Sequence, residues 1–331
     1  MSRTPLRRQR GAALLTAMII VTLIASLAAG MVWQQYRAVQ IEAADRARAQ
    51  STWILQGALD WARLILREDA QANRQKPVDH LGEPWAVPLA EARLSTFLAA
   101  DRTAANDDGP EAFLSGRIED AQGRYNLRAL TGGAQVSGLE QRVLERLCAQ
   151  VNAPPGSAAL IIEGLRAAFP AAASAASAAS AATGGADATS DAGPLRPAGL
   201  DQLNWLGLDD ATITRLQPYV VLLPRATPVN LNTAPREVIA ALFDGVDLAS
   251  AERLVQARKA QPLQSVGEAA SYLPAGVTLD AQRASVNSSF FVVTGRLRLD
   301  ERQLEQRSLV ERQGLSMVVL ARERISQLLP P

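Results

Sequence analysis

The chain has 331 residues, room for one membrane helix and about two small domains. Its 34 Lys+Arg nearly balance 33 Asp+Glu, and much of the basic excess sits in the first ten residues, so no general polyanion-binding surface is indicated. A single histidine, His80, and a single cysteine, Cys148, exclude His-rich zinc sites and a disulfide within the chain, and weaken any nucleophile–histidine scheme.

The leader carries Arg3, Arg7, Arg8 and Arg10 and no acid, and the next charge is Arg37. Ala12 to Trp33 supplies the ~20 apolar residues that cross a bilayer as a helix. Trp33 and Tyr36 fall where an aromatic belt meets the outer interface. Arginines on one side of the run put that side in the cytoplasm and the long C-terminal part outside it. Two readings fit. One is a signal peptide cut after Ala28 in Ser26-Leu27-Ala28. The other is a retained anchor whose leader is removed after Gly11. Continuity favours the anchor. No Gly or Pro lies strictly between Met31 and Gln56, and Ile54, Ala58, Trp61 and Ile65 recur at helical spacing. One helix is therefore predicted from about Ala12 to Asp69, roughly 85 Å at the standard rise.

Pro77 to Pro88 reads as a loop, with His80 an exposed or capping residue in it. Phe113–Asp120 and Arg124–Leu127 read as a strand pair around a turn at Ala121-Gln122-Gly123. Helices follow at about Leu139–Val151, where Cys148 is a buried thiol beside Val143, Leu144 and Leu147, and at Ala158–Ala168. From Pro170 to Ala192 only small and polar residues occur, which cannot bury a core, and this tract reads as a disordered loop. Short helices are predicted at Leu200–Leu206 and Asp209–Leu216, the second capped by Asp209 or Asp210.

Val229-Asn230-Leu231-Asn232-Thr233-Ala234-Pro235 leads into a helix at Arg236–Leu242, with Thr233 as the expected N-cap. A turn at Phe243–Asp247 joins it to a helix at Leu248–Lys259. The pair resembles the helix-hairpin-helix family, but Asp244 and Asp247 flank the lone Gly245 and would repel a phosphate. The unit is taken as a protein-interaction fold, with no nucleic acid as partner. Strands at Phe290–Leu299, Gln303–Glu311 and Leu315–Arg322 form a meander, with a fourth and fifth expected from Phe113–Leu127.

Gln9-Arg10-Gly11-Ala12-Ala13-Leu14-Leu15 resembles the prepilin-peptidase site of type IV pilins and type II secretion pseudopilins. The resemblance implies cleavage between Gly11 and Ala12 and N-methylation of Ala12. Most of that family has Glu as fifth mature residue, where this chain has Thr16. The branch that lacks the Glu is the K-type minor pseudopilin. A carboxylate in hydrocarbon costs at least ~2.5 kcal/mol, and the family is thought to offset this by pairing it with the amino terminus of a subunit already in the filament. A subunit entering first has no such neighbour, and Thr16 can instead satisfy its hydroxyl on the carbonyl of Ala12, one turn back. Read on its own, Thr16 is also an ordinary small residue of a membrane helix.

The whole chain resembles the K-type minor pseudopilin, general secretion pathway protein K, in the leader and anchor, in Glu83-Pro84-Trp85-Ala86, in Ile118–Leu127 and in Val229–Pro235. The resemblance implies an α+β pseudopilin fold: a long N-terminal transmembrane helix packed on an antiparallel sheet, with a large inserted, mainly α-helical domain. The expected divisions are a leader at 1–11, a transmembrane helix at 12–36, helix continuation and first strands at 37–130, the inserted domain at 131–285 with its 171–192 tract, and the final strands at 286–331. It implies a non-enzymatic subunit at the tip of the pseudopilus. That subunit would be anchored in the bacterial inner membrane with its C-terminal domain in the periplasm. Its partners would be I-type and J-type minor pseudopilins, other pseudopilins, the inner-membrane secretion platform and prepilin peptidase. Ile54, Ala58, Trp61 and Ile65 would pack on partner helices or on the chain's own sheet. The family binds calcium in the inserted domain. Here that region reads Leu160–Phe169 followed by the Ala/Ser tract, and Asp187 and Asp191 fall far short of the six to eight oxygens, roughly, that calcium takes. The site is expected to be lost or degraded, leaving no cofactor. The other readings are a minor pilin of a type IV pilus or competence apparatus, and a membrane-anchored periplasmic hydrolase using carboxylates.

Overall fold

The computed structural model describes residues 10–94, 112–132, 136–170, 195–299 and 302–328, and divides into two units, 1–57 and 58–331. The expected 171–192 tract and most of the 1–11 leader lie outside the described residues. Helix α1 spans Arg10–Ala72 without a break. In the first unit its apolar side chains from Leu14 to Ile41 are all exposed, and the guanidinium of Arg37 stacks 5.7 Å from the Trp33 ring. Over this stretch the helix is long and apolar enough to cross a membrane.

In the second unit five antiparallel strands make one sheet, in the order β1 (Leu89–Arg93), β2 (Ala112–Asp120), β7 (Phe290–Leu299), β8 (Arg302–Gln313), β9 (Ser316–Leu328). The last three form the expected meander. The C-terminal turns of α1 bury Leu59, Ala62 and Leu66 against Trp85, Ile118, Phe291, Val293, Val310 and Met317. Trp85 and Phe291 meet edge to face with centroids 5.3 Å apart. The helical period is the expected one, while the face that meets the sheet lies one residue over. Ala58 and Ile65 flank the buried seam half-exposed, and Trp61 is 50% exposed. Tryptophan marks no particular side of a helix, and the smaller Leu/Ala set fits the sheet more closely.

The expected strand pair at Phe113–Leu127 does not form. Asp120 accepts from Gln122 N at 2.8 Å and starts a 3-10 turn, Ala121–Gly123, that carries the chain off the sheet. The strand after that turn, β3 (Tyr125–Asn126), pairs in parallel with β4 (Val220–Val221). The sheet's fifth strand is instead β1, which begins directly after the segment expected as a loop. The helical domain thus leaves the sheet at Ala121 and returns at Ser289, wider than the expected 131–285. It is an excursion between two hydrogen-bonded neighbours: Asp120 stands opposite Phe291.

Inside the excursion lie α2 (Gly138–Gln150), α3 (Ser157–Ala168), α4 (Asp210–Leu216), α5 (Arg236–Leu242) and α6 (Leu248–Ala260). Leu200–Leu206 is helical but of the tighter 3-10 kind. Asp209 caps α4 and Asp247 caps α6, each accepting the backbone N–H three residues on. Two residues of β5 (Val229–Asn230) pair in parallel with β6 (Ala284–Ser285). The core gathers Leu144, Leu147, Ile161, Leu165, Val238, Ile239, Phe243 and Leu254, with Cys148 at its margin. Burial pushes the Cys148 thiol up to about 11, as expected of an inert core cysteine.

Candidate functional site

Two buried polar clusters hold the second unit together, and both use residues of the segments that carried the resemblance. The first joins sheet to helical domain at Asp120. Its Oδ2 accepts from the Thr233 hydroxyl at 2.6 Å, the Ser288 hydroxyl at 2.6 Å and Asn230 Nδ2 at 2.9 Å. Asn230 Oδ1 in turn accepts from Asn232 N at 2.9 Å. Burial raises the Asp120 pKa, and the Ser288, Thr233 and Gln122 hydrogen bonds oppose that shift. Gln122 completes the joint, donating to Pro228 O at 3.1 Å and accepting from Ser289 N at 2.6 Å. A Cβ on Gly123 would lie 2.9 Å from Thr233 Oγ1, so only glycine lets the turn approach the helix entry this closely. Thr233 is therefore not the N-cap of α5. Pro235 occupies that position without a side-chain cap, and the Thr233 hydroxyl serves Asp120 instead. In the sequence Asp120 reads only as the residue that closes a strand and opens the Ala121-Gln122-Gly123 turn. The missed signal was two polar motifs, Asp-Ala-Gln-Gly and Asn-Leu-Asn-Thr, each too rich in short hydrogen-bonding side chains for a plain turn.

The second cluster fastens the end of α1 to the β8–β9 hairpin. Arg312 donates to Asp69 Oδ2 at 3.0 Å, to the Ser288 carbonyl at 2.6 Å, and to Asp79 Oδ2. Glu83 accepts from Asn73 Nδ2 and the Trp85 indole N–H, both at 2.7 Å, and from His80 N at 2.9 Å. His80 itself accepts from Gly82 N, a turn role. Asp69, Asp79 and Glu83 offer carboxylate oxygens within 4.8 Å of one another, while Asp79 Oδ1 is buried with no hydrogen-bond partner. Burial first, then the negative charges of Glu83 and Asp79, push the Asp69 carboxyl up to about 7 against the pull of Arg312. Asp79 is likewise raised, chiefly by burial. One guanidinium among three acids makes an ion-paired clamp on Asp69 and Asp79, while Glu83 is held by Asn73, His80 N and Trp85.

Of the region where the resemblance implies calcium, the structure describes the part up to Pro170. Leu160–Phe169 is the regular helix α3 and its cap, burying Ile161, Leu165 and Ala168. It offers one carboxylate, Glu163, on its exposed side, and Asp187 and Asp191 lie outside the described residues. At the helix hairpin, Gly245 adopts φ +81°, and Asp244 pairs with Arg142 at 2.9 Å and with Arg146. Arg146 also donates to the carbonyls of Ala241 and Phe243, tying α2 to the end of α5.

At the other end of the chain, Gly11 and Ala12 lie in the first turn of α1. The Thr16 hydroxyl donates to Ala13 O at 3.0 Å, a bond within the helix to the carbonyl three residues back, next to the expected Ala12.

Family models described as Type II secretion system (T2SS), protein K, match residues 123–225 and 229–290. The chain is 30% identical to the type II secretion system protein K of Pseudomonas aeruginosa, over 96% of this chain and 93% of that one. It is 29% identical to that of Klebsiella pneumoniae, over 95% and 96%. Among solved structures, a chain of the GspK–GspI–GspJ complex from the enterotoxigenic Escherichia coli type 2 secretion system superposes with a TM-score of 0.62 at 20% identity, covering 85% of this chain and 98% of that one. With its apolar N-terminal helix, five-stranded sheet and helical excursion, the chain belongs to the type II secretion system protein K family.

Proposed function

We infer that the chain is a minor pseudopilin at the tip of the type II secretion pseudopilus, nucleating or capping the filament that drives export of folded proteins. The observation that carries this reading is α1, one helix from Arg10 to Ala72 with an apolar stretch exposed on every side, in a chain of the protein K family. Prepilin peptidase would cut between Gly11 and Ala12, and Ala12 would be methylated. Thr16 supports the tip position: its hydroxyl is satisfied within its own helix, so the residue asks nothing of a neighbouring subunit. Arginines before the apolar run put the N-terminus in the cytoplasm and residues after Tyr36 in the periplasm.

The similar solved structure is a complex in which GspK stands with GspI and GspJ. By that likeness the partners here are I-type and J-type minor pseudopilins, with other pseudopilins and the inner-membrane platform beyond. On α1, the flank of Ile54, Ala58, Trp61 and Ile65 is the surface assigned to partner helices, since Leu59, Ala62 and Leu66 are already spent on the sheet. The role is structural and not enzymatic, with no cofactor. The single exposed carboxylate of α3 supports loss of the family's calcium site; tight calcium uptake in a calorimetric titration of the full chain would contradict it.

N-terminal mass spectrometry of the mature protein tests the route. A methylated Ala12 is expected, and a start at Ala29 would end the proposal. Cysteines placed at Ala47 and Ala58 should crosslink to another pseudopilin in cells; no such product at either position would remove the tip role.

A further inference from the structure

The clamp at the end of α1 carries more negative charge than its guanidinium matches. Asp69, Asp79 and Glu83 each bring a carboxylate oxygen within 4.8 Å of the other two. Among the described residues, Arg312 is the cation that pairs with them, through Asp69 and Asp79. Asp120 stands one residue further on: Ser288 donates its backbone N–H to Asp79 Oδ2 at 2.7 Å and its hydroxyl to Asp120 Oδ2 at 2.6 Å.

Crowded acids are ordinary in ion-pair networks, so the cluster by itself assigns nothing. Asp79 sets this one apart. The residue is 1% exposed, its Oδ2 accepts from Ser288 and Arg312, and its Oδ1 is buried with no hydrogen-bond partner. The other unmet buried atoms among the described residues are arginine nitrogens, hydroxyls and an amide oxygen; Asp79 alone contributes a carboxylate. A buried charged acceptor with no partner is costly. Room lies beside it, in a cavity of about 280 Å³ lined by Asp79, Asn73, Ser288, Arg312 and the exposed Arg74. Hydrogen bonds do not exhaust the two neighbouring acids, because a carboxylate has about four acceptor sites. Asp69 serves Arg312 at 3.0 Å and Asn73 at 3.3 Å, and Glu83 serves Asn73, His80 N and Trp85.

We propose that Asp79, Asp69 and Glu83 form a binding site for a hard divalent cation, calcium, with Asp79 Oδ1 as the leading ligand and cavity water completing the shell. A donor set made of oxygens favours calcium or magnesium over zinc or copper. An irregular cluster that keeps Arg312 in place suits the flexible shell of calcium better than the near-ideal octahedron magnesium demands. The retained guanidinium keeps the affinity low, in the roughly 0.1–1 mM range of extracellular calcium modules. The ion ties the end of α1 to the segment from Asp79 to Glu83, far in sequence from α3 and the tract that follows it.

The test uses the full chain in neutral detergent, stripped with a chelator that is then removed. Calcium chloride and magnesium chloride are titrated against sodium chloride at constant ionic strength while thermal unfolding is followed. The expected result is a saturable rise in midpoint, about 3–6 °C at roughly ten times the half-saturating calcium. Terbium chloride gives a readout independent of stability. The Trp85 indole, which donates to Glu83 Oε2 at 2.7 Å, should sensitise terbium emission, and calcium should displace it. Asp79→Asn should abolish both signals. Should that variant fail to fold, Glu83→Gln should raise the half-saturating calcium by about tenfold or more, as losing a charged ligand does. Saturation by calcium below magnesium assigns calcium to the site; magnesium at equal or lower concentration overturns the choice of ion. No saturable rise and no displaceable emission overturn the site itself. Signals unchanged in both variants also overturn it, and place the uptake in the inserted domain instead.

Discussion

The sheet and the helical excursion use the same two kinds of contact in different proportions. Around the sheet, the end of α1 is held by an apolar seam together with a charged clamp, Arg312 against Asp69 and Asp79 beside Glu83. The excursion has the larger apolar core, from Tyr125 to Ala284, with polar ties of its own such as Arg283 to Glu140 and Asn232 to Leu263. β2 and β7 are joined across the whole excursion, so their partners must be selected among many apolar competitors. Directional charges can do that at a cost in desolvation. Within the excursion α5 lies beside α6, its neighbour in the chain, but also meets α2 from far earlier in the chain, where Arg146 makes the directional tie. Asp120 is the point where the two regimes meet.

Removing that point should have the largest effect. Asp120→Ala removes the buried acceptor used by the Thr233 and Ser288 hydroxyls, Asn230 Nδ2 and Gln122 N, and should lower stability by about 3 kcal/mol or more. Thermal unfolding should show it, with limited proteolysis opening the chain near Ala121 or Ser289. A loss under about 1 kcal/mol would mean that the sheet and excursion are not coupled through this residue. Next come the two cores taken separately. Trp85→Ala on the sheet side and Phe243→Ala on the helical side should each cost about 3–5 kcal/mol. If the regions are energetically distinct, each variant should bring forward the unfolding of its own region, read by hydrogen exchange.

The charged clamp predicts a pH dependence with a definite sign. Asp69 has its carboxyl near 7 in the folded chain against an ordinary 3.8, so the native state keeps a proton that the unfolded state releases. Stability contributed by this group is present at low pH and falls as pH rises from about 4 through about 7. The unfolding midpoint should be higher at pH 5.5 than at pH 8, and Asp69→Asn should flatten that difference while leaving the protein no weaker at pH 8. A midpoint rising with pH in the parent chain would show that Arg312 outweighs the like charges. Two smaller effects complete the series. Cys148, pushed up to about 11 and buried, should alkylate at pH 8 at least roughly a hundredfold more slowly than in denaturant. Breaking the exposed pair of Arg298 and Glu91 should cost under about 1 kcal/mol.

Much of this was legible in the chain. The apolar run after Arg10, the unbroken helix to about Asp69, the three final strands and the helices at 138–150, 157–168, 236–242 and 248–260 come from local composition and period, because helices and meanders are made by residues near each other. What failed was the pairing of short segments. Arg124–Leu127 has strand-like residues, yet its two-residue strand joins Val220–Val221, nearly a hundred positions away. Helical spacing placed Ile54, Ala58, Trp61 and Ile65 on one stripe, but the stripe that meets the sheet lies one residue over. Period specifies a face; which neighbouring face is buried depends on the shape of what it packs against.

The same division runs through the site. Residue types alone carry the basic leader, the span long enough for a bilayer and the hydroxyl at Thr16 that closes on its own helix, since each depends on a few contiguous residues. The roles of Asp120, Asn230, Thr233 and Ser288 come from folding. Their side chains reach hydrogen-bond distance only because β2 and β7 pair and bring positions 120 and 288 together across the whole helical excursion. A turn aspartate and a buried hub aspartate look alike in a sequence, and burial, which no single residue sets, is what separates them.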